Sequence, residues 1–200
     1  MKTIRFIKHS IKVLFILLIF QSCTEKSKST VYTIAYSSLD SGFVEIYSGD
    51  IDKGTPTIKS TNVKGGYLAW SPDGKKIAFY AKYDNKKTWS IHTMNIDGTN
   101  RKRLTHAKNK WDYAPEWSPD GKKIIFSREY RDSDKKGQQE IWIMNSDGSE
   151  QTQIKPLKGG SAYFTQDGRI VFNSEFEDKK SEISIADING NNIVHLTDYV

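Results

Sequence analysis

Cysteine is nearly absent from these 200 residues: the single one is Cys23. A lone thiol forms no intrachain disulfide and no cysteine cluster for zinc, so packing must hold the fold. Long apolar runs are scarce as well. The run Val13–Phe20 has eight residues, too few to span a bilayer. Beyond it, no window of helical length carries apolar residues at a 3.6-residue period, which excludes a helical bundle. There is no Gly-rich phosphate loop and no G-x-S-x-G nucleophile elbow.

Strong charge of one sign is missing too, once the chain is divided. The formal charge is +6, from 30 basic and 24 acidic residues. Residues 1–22 hold Lys2, Arg5, Lys8 and Lys12 and no acid, so the remainder has 26 basic and 24 acidic groups, or +2. The basic excess belongs mostly to the N-terminus, and a nucleic-acid partner is not expected. With 36% hydrophobic and 27% charged residues, the chain can build a globular core rather than stay disordered.

What is present begins with a basic start, an apolar run and then small or polar residues. This order predicts a secretory signal peptide over 1–22. Cys23 follows Ser22 directly after that run. The placement resembles the lipobox of bacterial lipoproteins, although Phe20 and Gln21 stand where Leu and a small residue are usual. The resemblance implies a lipid on Cys23 and membrane attachment through it. Residues 23–30 then read as a lipid-anchored polar tether, free of apolar side chains after the cysteine.

The rest is repetitive. The blocks "AWSPDGKKIAFY", "EWSPDGKKIIFS" and "YFTQDGR-IVFN" place Trp70, Trp117 and Phe164 at intervals of 47. Each is followed by a second block, "SIHTMNIDG", "EIWIMNSDG" or "EISIADING". A third, "RLT", "QIK" or "HLT", closes each unit. A divergent first copy starts at "YTIAYSS". The units run about 31–65, 66–111, 112–158 and 159–200. Short segments rich in Ile, Val, Phe, Tyr and Trp predict four β-strands per unit, here A to D, with strand A not evident in the first. Ile77-Ala78-Phe79, Ile124-Ile125-Phe126 and Ile170-Val171-Phe172 are apolar at successive positions, so strand B must be covered on both faces. Four short strands every 40–50 residues are the pattern of a propeller blade. The expected fold is an all-β propeller of about four blades, each a four-stranded antiparallel sheet. Its ring would close imperfectly, because only Asp198-Tyr199-Val200 remain to supply a closing strand.

The blocks "WSPDGKKIAF" and "IWIMNSDGSEQTQI" resemble the TolB-type, WD-repeat-like β-propeller repeat over about residues 31–200. The likeness is strong in units two and three, weaker in four, where Thr165-Gln166 replace Ser-Pro, and faint in one. Members of that family usually carry about six repeats. The resemblance implies a cell-envelope protein, periplasmic or at the outer membrane, that binds another protein or a glycan and uses no cofactor.

The repeated polar residues are read as turn chemistry. Ser71-Pro72-Asp73-Gly74 and its copy at 118–121 suit a type I turn: Ser opens it, Pro fixes φ, and Gly joins the strands in a left-handed conformation. A catalytic Ser–Asp pair would lack a base and would occur twice. "NIDG", "NSDG" and "DING" read as hairpin turns, because their spacing does not match a twelve-residue calcium loop. His92, His106 and His195 are read as lying in different units without local metal-ligand spacing. With Cys23 committed to lipid, no cysteine nucleophile remains. The charged B–C loops "KYDNKKT" and "EYRDSDKKGQQ" are candidate recognition loops. Tyr67, Tyr113, Glu116 and Tyr163 sit on or beside strand A, which in propellers lines the central channel. They are the candidate binding patch. The expected function is thus a non-enzymatic scaffold. The alternatives are a polysaccharide-lyase-like enzyme, which would need the histidines to converge, or a piece of a larger TolB-like or peptidase-associated propeller.

Overall fold

The computed structural model describes residues 31–37, 43–50, 57–82, 88–175 and 181–197. The expected leader, Cys23, the tether, the loop tip at 83–87 and the closing residues 198–200 lie outside them. Among the described residues every helix or strand is a strand. The order is β1 (Val31–Ser37), β2 (Phe43–Asp50), β3 (Thr57–Trp70), β4 (Lys76–Lys82), β5 (Trp89–Asn95), β6 (Lys102–Arg103) and β7 (Trp111–Trp117). Then come β8 (Lys123–Arg131), β9 (Gly137–Asn145), β10 (Thr152–Phe164), β11 (Ile170–Glu175), β12 (Ser181–Ala186) and β13 (Val194–His195).

All pairings are antiparallel between chain neighbours, as an up-and-down propeller requires. Two strands are longer than the sequence suggested. β3 serves as outer strand of the first blade (Tyr47↔Ile58) and inner strand of the second (Trp70↔Ile77). β10 joins the third and fourth blades in the same way. The first blade shows three strands among the described residues rather than four. No described strand of the fourth blade pairs with the first, so ring closure is not seen.

Three apolar clusters fill the gaps between successive blades. Val44 and Val63 of the first blade meet Ile77, Phe79 and Met94 of the second. Ala69, Ala78, Ile91 and Leu104 of the second meet Trp117, Ile124 and Phe126 of the third. Ile125, Ile141, Ile154 and Leu157 of the third meet Ala162, Ile170 and Phe172 of the fourth. Strand B is apolar throughout because successive residues point into two different gaps. Trp117 spans its gap, donating from Nε1 to the Ala69 carbonyl at 3.2 Å.

The outer strands β6 and β13 stop after two residues, and the closing block supplies the reason. Thr105 Oγ1 accepts from the Ile91 amide at 2.9 Å, and Thr197 Oγ1 accepts from the Ile183 amide at 3.0 Å. A side-chain oxygen thus replaces the next backbone carbonyl and ends the ladder. The third unit has Lys155 in that place, and its strand runs on to pair Lys158 with Glu140.

Candidate binding site

The repeated polar residues are engaged in their own turns. Ser71 Oγ donates to Asp73 at 2.7 Å and accepts from the Lys76 amide at 2.9 Å, while Gly74 N–H closes onto the Ser71 carbonyl at 2.8 Å. Ser118, Asp120, Lys123 and Gly121 repeat this geometry at 2.7, 2.9 and 2.8 Å. Thr165 and Asp167 do the same in the fourth blade. These hydroxyl and amide bonds hold the carboxyls of Asp73 and Asp120 below their usual range. At Asp167 a bond from Arg169 leads and lowers the group to about 2. Gly74 and Gly121 have φ of 67° and 69°, the left-handed conformation the turn needs. The second turn set is equally self-contained. Gly98 N–H reaches the Asn95 carbonyl, and Asp97 accepts from Thr99.

The described histidines fall in two units rather than three: His92 and His106 in the second, and His195 in the fourth. His92 is buried in the second, stacked on Phe79 with centroids 5.7 Å apart. Burial foremost, then Arg101, Arg103 and His106, hold it down to about 3. His195 sits in the fourth blade, 2.9 Å from Ser184 Oγ. Among the described residues no three His, Cys, Asp or Glu side chains cluster closely enough to hold a metal ion.

The differences between repeats gather at the other end of the hairpins. Each inner strand carries a bulge, between Gly66 and Ala69, Tyr113 and Glu116, and Gly160 and Tyr163. The first residue inside each bulge is left-handed: Tyr67 (φ 48°), Ala114 (φ 47°) and Ser161 (φ 50°). A bulge re-aims the side chain it carries. At Tyr67 it carries an aromatic ring, which stays 57% exposed. That ring lies 5.8 Å from Tyr80 and 6.2 Å from Tyr113. Trp89 completes the group, 4.7 Å from Tyr80 and edge-on to Tyr113 at 6.5 Å. Blades two and three thus build a four-ring cluster, with spacings typical of favourable aromatic pairs.

Small residues make room for it. A Cβ at Gly66 would fall 3.1 Å from the Tyr80 ring, and one at Gly65 would fall 2.2 Å from the Tyr80 carbonyl oxygen. Gln139 Nε2 donates to the Tyr113 hydroxyl and fixes that ring. Burial raises the Tyr80 and Tyr113 phenols above their ordinary value. Both therefore stay neutral at physiological pH, and the Glu129 carboxylate adds to the effect at Tyr113.

The structure therefore brings Tyr67 and Tyr113 together and adds Tyr80 and Trp89, which the strand-A reasoning missed. A signal for them existed. Where Tyr80 stands, units three and four have Ser127 and Asn173; where Trp89 stands, they have Gln139 and Ser181. Glu116 lies beyond the bulge on the strand of Tyr113, and burial raises its carboxyl. Tyr163 occupies the matching place in the fourth blade, about half exposed. At the opposite end of the hairpins, two interblade grooves of about 430 Å³ each are lined by turn residues. Pro72, Asp73 and Trp117 line one, and Pro119, Phe164 and Ile188 the other.

This architecture has known relatives. An uncharacterised protein of Agrobacterium fabrum is 31% identical over 104 residues, covering 50% of this chain and 32% of its own. The solved structure of a TolB candidate from Agrobacterium tumefaciens superposes with a TM-score of 0.64 at 27% identity, over 84% of this chain and 61% of that one. TolB from Acinetobacter baumannii gives 0.61 at 25%, over 82% and 40%. The chain thus spans less than two thirds of each relative's length. More distant propellers, an acylaminoacyl peptidase at 20% and an oligogalacturonate lyase at 17%, share the fold alone. Residues 24–200 match the family model of the TolB beta propeller domain. With a match over nearly the whole sequence, the chain belongs to the TolB beta propeller domain family.

Proposed function

We propose that this chain is an exported lipoprotein of the bacterial cell envelope, held to the membrane by lipid on Cys23, and that its propeller binds a protein partner. The binding face is the ring cluster Tyr67, Tyr80, Trp89 and Tyr113, with Glu116 and Tyr163 as contacts on the next blades. One observation carries the reading. Tyr67 is held in a left-handed backbone conformation, is 57% exposed, and its ring lies beside those of Tyr80 and Tyr113. The left-handed bulge recurs at Ala114 and Ser161, but of the three only Tyr67 carries an exposed aromatic ring there, and clustered exposed apolar surface marks interaction sites. Aromatic anchors dominate protein interfaces. The TolB relatives support the envelope location, and the turn engagement of the repeated Ser and Asp residues supports a scaffold rather than a catalyst.

The test is capture from detergent-solubilised envelope with the Cys23-anchored chain. A partner should be recovered by the parent and lost with Tyr67→Ala and Trp89→Ala. Recovery of nothing above an unrelated propeller counts against protein binding. A glycan is the second ligand class that an exposed cluster of aromatic rings suits, since sugar faces pack on aromatic planes. Tryptophan fluorescence of Trp89 titrated with envelope polysaccharide separates the two.

A further inference from the structure

Basic side chains of this protein settle over aromatic rings in several places. Arg128 lies 4.2 Å from the Trp142 centroid and 5.3 Å from that of Phe126. Lys110 lies 3.8 Å from the Tyr130 centroid, and Arg101 lies 6.0 Å from that of Phe79. A ring face is electron-rich, so a cation within about 6 Å of the centroid is attracted to it. Tyr67, Tyr80, Trp89 and Tyr113 differ. Each of these rings meets two of the others, and the contacts close into a cycle with sides of 5.8, 4.7, 6.5 and 6.2 Å. No cation of the described residues lies over any of the four. Lys82, across from Trp89 in the ladder, is exposed and takes no such place.

The surroundings add negative charge. Glu129 is exposed and enters no ion pair among the described residues. It stands across the ladder from Trp111 and Gln139, and Gln139 holds the Tyr113 hydroxyl. Its carboxylate is near enough to Tyr113 to add to the rise of that phenol's pKa. Tyr67 is tilted 47° to Tyr80 and 57° to Tyr113, so neither ring stacks flat on it, and it is mostly exposed. A cation arriving over Tyr67 meets electron-rich rings and a carboxylate that no described cation matches. A neutral apolar side chain would use the rings and leave the carboxylate unmatched. We infer that the ring cluster recognises a positively charged side chain, lysine or arginine, that the protein partner inserts against Tyr67. This rests on the reading of the cluster as the protein-binding face, and it names the chemistry that face selects.

Nitrogen-15 spectra of the full chain in detergent, labelled at the tryptophan indoles, test this, with Trp89→Phe identifying the Trp89 signal. The probes are three blocked tripeptides: Gly-Lys-Gly, Gly-Arg-Gly and, as the uncharged isostere of lysine, Gly-norleucine-Gly. The lysine and arginine peptides should move the Trp89 signal at millimolar concentration and bind about fivefold tighter than the norleucine peptide. Tyr67→Leu, which keeps apolar bulk without the ring, should erase that preference, and Glu129→Gln should reduce it. The signals of the remaining tryptophans report whether each variant is folded. A norleucine peptide that binds as tightly as the charged ones overturns the inference, as does a preference unchanged by either variant. So does a Trp89 signal that neither charged peptide moves. Capture from the envelope reads the protein-binding proposal separately. A partner lost with Tyr67→Ala, beside equal binding of lysine and norleucine, keeps that proposal and removes this one.

Discussion

Arg128 and Asp112 face each other across β8 and β7 as a buried, two-bonded ion pair, with Nε–Oδ1 at 2.6 Å and Nη2–Oδ2 at 3.0 Å. At the same register the second blade pairs Gly65 with Ala81, and the fourth pairs Gly159 with Ser174. The guanidinium lies 4.2 Å over the Trp142 ring, so the pair is also packed on the aromatic side. Removing one partner strands a buried charge. Asp112→Ala should therefore lower stability by about 3–5 kcal/mol, read as the denaturant midpoint of the circular-dichroism transition. Asp112→Gly combined with Arg128→Met, which keeps the apolar stem over Trp142, should recover more than half of that loss. A double variant as unstable as the single one would show that the charge pair is not what fails.

Trp117 bridges the second and third blades through Ala69, yet its counterpart in the fourth blade is Phe164. The ring's apolar bulk is common to both, and the indole N–H is not. Trp117→Phe should cost about 1–2 kcal/mol, one hydrogen bond and a little volume. Trp117→Ala should cost about 3–5 kcal/mol through the cavity. Chemical denaturation of the two variants side by side checks the ordering.

Much of the fold was legible because the sequence repeats. Strand B shows its two covered faces as an unbroken apolar run, and the Pro-Asp-Gly and Asp-Gly peptides announce turns whose bonds the structure contains. The merging of outer and inner strands into β3 and β10 was not legible, since it depends on what does not interrupt them. One such case is Lys155 where other units have a strand-ending Thr. The site was half legible. Tyr67 and Tyr113 lie on the strand that propeller topology favours. But left-handed φ falls on Tyr, Ala and Ser in the three bulges, residue types that give no warning of it. Tyr80 and Trp89 are visible only as aromatic departures from polar residues in the other repeats.

His92 makes stability depend on pH. Its folded pKa is about 3, well below the ordinary 6.5, chiefly through burial. Between those values the unfolded chain binds a proton that the folded chain does not. Stability is therefore complete above about pH 6.5 and falls as pH drops, at no more than about 1.4 kcal/mol per pH unit. His92→Gln should flatten the loss between pH 6.5 and 4, measured as the urea midpoint at fixed ionic strength. The turn aspartates, with lowered carboxyls, lose their contribution at lower pH and leave this window clear. An unchanged slope in the variant would assign the acid sensitivity to other groups.

Tyr67 allows binding to be separated from folding. Its backbone φ of 48° disfavours any residue but glycine, while its ring is mostly exposed. Tyr67→Gly removes the ring and relieves the backbone together. Tyr67→Ala removes the ring and keeps the strain. If the ring exists to be recognised, both variants should lose partner binding alike, by tenfold or more. A tenfold loss corresponds to about 1.4 kcal/mol of binding free energy. Their stabilities should diverge, with the glycine variant above the alanine variant by about 1 kcal/mol. Calorimetric melting temperatures and the captured yield of partner provide the two readouts. Binding retained by both variants would move the site away from the ring cluster. A glycine variant no more stable than the alanine variant would mean that the left-handed backbone at 67 costs the fold nothing.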